Sequence, residues 1–480
     1  MIIAIVWQYL NNKTTPPSQD SRSRATVYFV QKMEAVCSFR LYLNCGEQHL
    51  PFPPSMKRFV ASNSLKMSSA KLRSRCTYVV LVFPALLWHL VSHEIVISDR
   101  APQSRGRIRN AMSPDNDFMR IGISLLNFRQ GAVGGIETYI RKVIEHAPSL
   151  AGEDDVVFFV HRDNLCVVPD SYKTIVVNRS QRIIDLYRIL EACTFWRARS
   201  IERLITRAGV DVMLYTQQSM FPFHSTVPSV LLVADVQYLF SPQYYSWLDL
   251  RFRKSIYLRS LRRCSKIISI SGVTANHLAE SCHIPPNKIK VIHLGYDPTH
   301  TVPESSVHTP EYPYLYYPAV TYPHKGHANL FRSFAQLKRT GILKQKLVLS
   351  GIQSAHWKAL KGIIISEGIG GEVIHMGYVS YEQVRALYRG ADAVLFPTEF
   401  EGFGIPVLEA VQLQKRIICS ELPIFDELGV PREWQIDYSD PQQLLKALQQ
   451  EGPTRLLRDP ISWKESVRRT MDLLRIAGKN

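Results

Sequence analysis

The chain has 480 residues, too many for one compact core, and its 46% hydrophobic and 21% charged content is that of a soluble globular protein of two or three domains. A formal net charge of +17 points to an anionic partner. With no zinc-finger spacing or aromatic RNA-recognition pattern, nucleic acid is set aside for anionic membrane lipid or a phosphorylated substrate, beside the plain reading of surplus solvated Lys and Arg. The eight cysteines form no C-x-x-C pair, so they suggest neither a zinc site nor a disulfide framework and fit a reducing compartment.

Residues 1–118 lack sustained helix or strand periodicity and carry 15 Lys and Arg against 7 Asp and Glu. Their one apolar run, 78–91, contains Pro84 and His89 and is short for a membrane span. Lys71, Arg73 and Arg75 precede it in the manner of a signal sequence starting at Met67. Met119 leads straight into a strand and reads as a natural protein start, so 1–118 is expected to be an N-terminal extension, disordered or an excess of the gene model. Asp115-Asn-Asp117 spells D-x-D but precedes the first strand instead of following one, and is read as chance.

From Met119, short apolar strands alternate with helical stretches. Strands are predicted at 121–126, 156–160, 174–177, 212–215, 230–233, 266–271 and 290–293, and helices at 136–147, 181–208 and 273–282. Such alternation predicts a doubly wound, mostly parallel sheet whose ligands bind at the carboxyl ends of its strands. After the first strand comes Gly131-Ala-Val-Gly-Gly-Ile-Glu-Thr-Tyr-Ile140, where Gly134 and Gly135 let backbone approach a ligand. The strand at 230–233 runs into Ala234 and Asp235. Residues 298–313, rich in Pro, Ser, Thr and His, read as a linker between a domain at 119–297 and a second at 314–480.

Strands resume at 314–317, 346–349, 373–376, 393–396 and 416–419, with helices at 328–340 and 381–389 between them. This is a second doubly wound domain, and two such domains create a ligand cleft. Lys325 lies in the loop Tyr317-Pro-Ala-Val-Thr-Tyr-Pro-His-Lys-Gly326. The most informative stretch is Pro397-Thr-Glu-Phe-Glu-Gly-Phe-Gly-Ile-Pro-Val-Leu-Glu-Ala410. It reads strand, glycine loop, helix, with Pro406 fitting the first helical turn. Free N–H groups and the helix dipole make such a turn an anion cradle. Glu401 in the loop and Glu409 one turn into the helix flank it with hydrogen-bond acceptors, which suits a ligand that is part phosphate and part polyol, such as a nucleotide sugar.

Embedded in P-x-x-x-E-G-F-G-x-P-x-x-E-A, Glu401 and Glu409 resemble the E-x7-E motif of retaining glycosyltransferases of the GT-B fold, in glycosyltransferase family 4, and the resemblance runs from about Met119 to about Ala477. It implies two facing Rossmann-like domains, the first on the acceptor side and the second on the donor side, with the last helix packing back on the first. Gly134 and Gly135 match the family's G-G-x-E loop near the donor diphosphate or the acceptor. Lys325 matches a lysine on the donor diphosphate. Gly377-Tyr-Val379 resembles the backbone segment that holds the nucleobase, which brings in Tyr378. Asp235 matches the Asp of a His-Asp pair whose histidine lies near the sugar; here that position is Ala234. Ala319 stands where many members carry an arginine.

The resemblance implies transfer of a sugar, with retention, from a nucleotide-diphosphate sugar to an acceptor hydroxyl on a cell-surface glycan or lipid-linked intermediate. Glu401 would hold the sugar and its cation-like ring, Glu409 the ribose, and Lys325 with the N–H groups around Gly402, Phe403 and Gly404 the departing diphosphate. It implies neither metal nor cofactor beyond that co-substrate. Because family donors are cytosolic, it implies a cytoplasmic protein, with peripheral contact to anionic membrane in view of its charge. Two other readings stay open: a silent GT-B scaffold, for which Ala234 and Ala319 speak, and an epimerase or phosphorylase on the same fold.

Overall fold

A computed structural model of the chain describes residues 99–100, 118–131, 135–194, 196–296 and 309–479. The apolar run at 78–91, Asp115-Asn-Asp117, Gly134 and most of the expected linker lie outside those residues.

Eight strands make the first sheet: β1 (Asp99–Arg100), β2 (Arg120–Ser124), β3 (Asp155–His161), β4 (Thr174–Val177), β5 (Val212–Tyr215), β6 (Ser229–Val233), β7 (Lys266–Ser269) and β8 (Ile289–Val291). Their order is β1-β4-β3-β2-β5-β6-β7-β8. Six make the second: β9 (Tyr314–Pro318), β10 (Lys346–Ser350), β11 (Val373–His375), β12 (Ala393–Phe396), β13 (Ile417–Ser420) and β14 (Gln435–Ile436), in the order β11-β10-β9-β12-β13-β14. The second sheet is wholly parallel, and so is the first apart from β1. Strands such as Val212–Tyr215 and Ala393–Phe396 are buried at every residue, because helices cover both faces of a doubly wound sheet. The chain is therefore α/β, with two Rossmann-like lobes. β1 sets Asp99 opposite Ile175 and Arg100 opposite Thr174, an antiparallel edge too short to leave a sequence pattern.

The helical run expected over 181–208 is two helices, Gln181–Cys193 and Arg199–Arg207. Side chains break it. Thr194 Oγ1 donates to Leu190 O at 2.6 Å and accepts from Trp196 N at 3.0 Å, while Glu191 accepts from Ala198 N at 2.9 Å. These bonds offer the backbone an alternative to the next helical turn. The helix Trp247–Arg263 escaped the sequence reading because its apolar residues are interrupted by Arg and Lys. Ser246 caps it, accepting from Asp249 N.

The returning chain end joins the second lobe to the first. Past β8 the chain pairs Tyr296 with Ser462, and Tyr296 N donates to Ile461 O at 2.9 Å. The final helix, Trp463–Lys479, then lies on the first lobe. There Tyr139 OH and Thr470 Oγ1 are 2.7 Å apart, both buried. Arg475 reaches Asp154 Oδ2 at 2.7 Å and the carbonyls of Leu150 and Ala151 at 3.0 Å. Among the described residues no helix is long and apolar enough to cross a membrane.

Thr470 Oγ1 also bonds to Ser466 O at 3.1 Å, so it keeps a partner if the Tyr139 hydroxyl is removed. Tyr139→Phe is therefore expected to cost about 1 kcal/mol, the worth of one net hydrogen bond, without the larger penalty of an orphaned polar group. Urea unfolding checks this through a lowered midpoint with an unchanged slope.

Candidate active site

The order of strands reverses between β2 and β5 in the first sheet and between β9 and β12 in the second, and crevices at such switch points bind ligands. In the second lobe the switch falls between β9 and β12. The loop after β9 carries Lys325 and the loop after β12 carries Glu401, and the structure brings them together: Lys325 Nζ donates to Glu401 Oε2 at 2.7 Å. Both side chains are 18% exposed, so the pair is shielded but open at one side. The ammonium also lies 5.7 Å from the Phe396 ring. The two loops are clamped by Glu399 N on His324 O at 2.8 Å and Thr398 Oγ1 on the same carbonyl at 3.3 Å. Gly326 permits this with φ +67; a Cβ there would stand 1.8 Å from Pro397 O.

The loop at 401–404 also meets the first lobe. A Cβ on Gly402 would lie 2.3 Å from Ala234 O and 3.4 Å from Asp235 Cβ, so the two backbones touch at the carboxyl end of β6. Gly404, at φ +100, opens the helix Ile405–Gln412, with Pro406 in its first turn. Phe403 is buried against His293, ring centroids 5.6 Å apart. Gly135 begins the first-lobe helix Gly135–Leu150 and faces Ile405, whose Cδ1 would be 2.7 Å from a Cβ on that glycine. The amino ends of the two helices thus approach one another across the seam.

Asp235 accepts from Gln237 N at 3.0 Å. Burial pushes its carboxyl above the ordinary value; the Gln237 bond and the Arg253 and Lys325 charges oppose this, and Glu401 reinforces it. Glu409 lies on the helix behind the loop and is half-buried. Tyr388 OH donates to its Oε2 at 3.0 Å. Burial raises its carboxyl from 4.5 to about 7, against the Tyr388 bond and the charge of Arg385. Arg385 is itself buried, and its Nε has no partner among the described residues. Neither Tyr388 nor Arg385 was singled out from the sequence. They sit at i and i+3 on the helix Tyr381–Gly390, where they read as a plain amphipathic face. Tyr378 stands 77% exposed after β11. His224 packs edge-on to Phe223 at 5.1 Å, beside Arg197 and Arg263.

Beside the Lys325–Glu401 pair an aromatic rim spans both lobes. Phe240 packs on His277 at 4.2 Å and on Phe400 at 6.1 Å. Tyr244 lies 6.4 Å from His324 and donates its hydroxyl to Glu399 Oε2 at 3.0 Å. Phe240, Tyr244 and Tyr322 remain exposed. Among the described residues no group of three or more His, Cys, Asp or Glu is placed to hold a metal ion.

A shielded ammonium, a helix amino end and several carboxylates at facing switch points can hold a phosphate beside hydroxyl groups. Comparison with known proteins bears on the family and the fold. Residues 133–300 match the family model described as Glycosyltransferase Family 4, and 299–452 that described as Glycosyl transferases group 1. The chain is 22% identical over 209 residues to the O-antigen chain mannosyltransferase RfbU of Salmonella typhimurium, covering 43% of this chain and 56% of that protein. It is 21% identical over 261 residues to the O-antigen chain mannosyltransferase B of Escherichia coli, covering 52% of this chain and 66% of that one. The chain thus spans little more than half to two thirds of these relatives. Sucrose-phosphate synthase from Thermosynechococcus elongatus shares the fold at a TM-score of 0.52 and 16% identity, over 74% of this chain and 94% of that one. Anabaena HepE in complex with UDP-glucose shares it at a TM-score of 0.50 and 15% identity, over 74% and 95%. With both lobes matched in chain order and the GT-B architecture in place, the chain belongs to glycosyltransferase family 4, among the glycosyl transferases of group 1.

Proposed function

We propose that this glycosyltransferase moves a sugar, with retention, from a nucleotide-diphosphate sugar to an acceptor hydroxyl on a surface polysaccharide or lipid-linked glycan. The observation that carries the reading is the Lys325–Glu401 pair beside the helix at Ile405, pressed against Asp235 of the other lobe. Breaking the donor's C1–O bond puts negative charge on the diphosphate and positive charge on the sugar. Lys325 and the amides at Phe403 and Gly404 stabilise the first; Glu401 stabilises the second and holds sugar hydroxyls. The acceptor oxygen bonds to C1 from the face the diphosphate leaves, and its proton passes to the departing phosphate oxygen. Glu409 accepts from the ribose. The rim of Phe240, Tyr244 and Tyr322 faces the acceptor side, since its ring partners Phe400 and His324 are the chain neighbours of Glu401 and Lys325. The names of the relatives favour mannose as the sugar. Neither a metal ion nor a cofactor is needed in this scheme, because protein charges balance the leaving group. Cytosolic donors and the +17 charge favour work at the cytoplasmic face of an anionic membrane.

Ala234 favours a second reading, a silent scaffold that binds a sugar nucleotide or a protein partner without turning donor over. The full chain incubated with UDP-, GDP- and ADP-sugars, with and without chelator, separates the two. Slow, chelator-resistant hydrolysis of one donor is expected; binding without hydrolysis or transfer, with glycan and lipid acceptors supplied, supports the scaffold. Lys325→Ala is expected to lower turnover on the order of 10²–10³-fold, the typical loss for one preorganised charge-stabilising donor. Wild-type turnover in that variant would remove Lys325 from the site.

Glu409 gives the reading a pH signature. A carboxyl raised to about 7 in the folded chain contributes stability fully below its unfolded value of 4.5, and this is lost as pH climbs toward 7. Ribose hydroxyls donating to the carboxylate favour its charged form and lower the value again. Donor binding is therefore expected to release a proton across that window, with affinity rising as pH rises. Titration calorimetry in buffers of different ionisation enthalpy reads the proton directly, and Glu409→Gln should flatten the profile. A wild-type affinity that ignores pH between 5 and 7 counts against the ribose role.

A further inference from the structure

Glu427 belongs to the second lobe, on the short helix Pro423–Leu428, yet its carboxylate bonds to the first. Oε1 accepts from Gly272 N at 2.6 Å and lies 2.7 Å from His293 Nε2, and Oε2 accepts from Val273 N at 2.9 Å. Gly272 and Val273 open the helix Gly272–Cys282 just past β7, where amide N–H groups lack intrahelical acceptors and the dipole favours negative charge. A Cβ on Gly272 would lie 3.3 Å from both carboxylate oxygens, so a side chain there would crowd the contact. Burial opposes the charge on Glu427, but the bonds from His293, Gly272 and Val273 outweigh it and hold the carboxyl below its ordinary value. His293 extends the contact two ways. Its carbonyl accepts from Ser466 Oγ at 2.7 Å, at the start of the returning helix, and its ring lies on Phe403 in the loop at 401–404.

From this geometry we propose that Glu427 and His293 are positioning residues that latch the second lobe to the first and keep the loop at 401–404 in register with Ala234 and Asp235. The functional half of the proposal rests on reading that loop as the donor site; the latch itself does not. Glu427 touches none of the groups assigned to the sugar nucleotide. It acts through His293 and Phe403, and through the lobe contact that sets how near Gly402 comes to Ala234. Removing the carboxylate strands two helix-end amides and an imidazole in a half-buried seam, which favours separation of the lobes.

The test compares the full wild-type chain with Glu427→Ala, Glu427→Gln and His293→Ala. In Glu427→Ala, hydrogen exchange is expected to speed by at least about 10-fold at Gly272 and Val273 and to speed also at 403–405, while the β9 and β10 amides, which report the global fold, stay protected. Glu427→Gln should fall between, since its carbonyl keeps one acceptor while its NH₂ faces the other amide. His293→Ala should act mainly at 403–405 and, with two of the three bonds retained, serves if Glu427→Ala does not fold. For whichever of the UDP-, GDP- or ADP-sugars the wild type hydrolyses, KM should rise about 10-fold in Glu427→Ala with a smaller change in kcat, and recover partly in the Gln variant. Unchanged protection at Gly272 and Val273 overturns the latch. Faster exchange confined to those two residues, with 403–405 and the donor KM unmoved, reduces Glu427 to a helix cap and overturns the positioning role. A wild-type chain that binds none of the three sugar nucleotides sinks the donor reading, and the exchange pattern still decides the latch.

Discussion

How closely the loop at 401–404 can approach the first lobe is the constraint on which this site depends. At Gly402 the distance from a would-be Cβ to Ala234 O is 2.3 Å, so any side chain there would force the backbones apart. The same closeness lets Lys325 and Glu401, from one lobe, influence the ionisation of Asp235 in the other. It also sets the amino end of the helix Ile405–Gln412 against that of Gly135–Leu150. Positions that matter at the 1 Å level in catalysis are fixed here by main chain, which has few ways to yield.

Much of this was legible in the residues, for physical reasons that differ by element. The strands were visible because a parallel sheet covered on both faces needs uninterrupted apolar runs, as in Ala393-Val-Leu-Phe396. The loop was visible because a strand, three constrained turn residues and a proline at a helix start leave few conformations open. The break after Cys193 was not legible: it depends on Thr194 and Glu191 finding backbone partners that only the folded chain supplies. Glu427 was invisible for a related reason. One of two adjacent carboxylates on a six-residue helix carries no pattern, and its meaning lies in the amides of Gly272 and Val273, some 150 positions earlier.

The cluster presents an electrostatic problem for any diphosphate ligand. The carboxylates of Asp235, Glu401, Glu409 and Glu427 are among those that stand in or around the seam, and an anion arriving among their full negative charges would be repelled. Each charge is offset. Burial holds Asp235 toward its neutral form and raises Glu409 to about 7. Glu427 spends its charge on two helix-end amides and an imidazole. Glu401 is compensated by Lys325.

That last pairing has a consequence for the order of events. In this state the ammonium proposed to meet a phosphate is bonded to the carboxylate proposed to meet a sugar. A lysine has three N–H donors on one compact charge, so a phosphate can share it without removing it from Glu401 completely. In the proposed scheme, phosphate oxygens would draw the ammonium toward the helix amino end, and the carboxylate would gain freedom to accept from sugar hydroxyls and to face the positive charge that grows at C1. Charge separation in the ligand is then matched by charge separation in a pair that was already assembled. In that scheme the protein groups need only a small displacement, and the proposed latch at Glu427 would hold the remaining scaffold still.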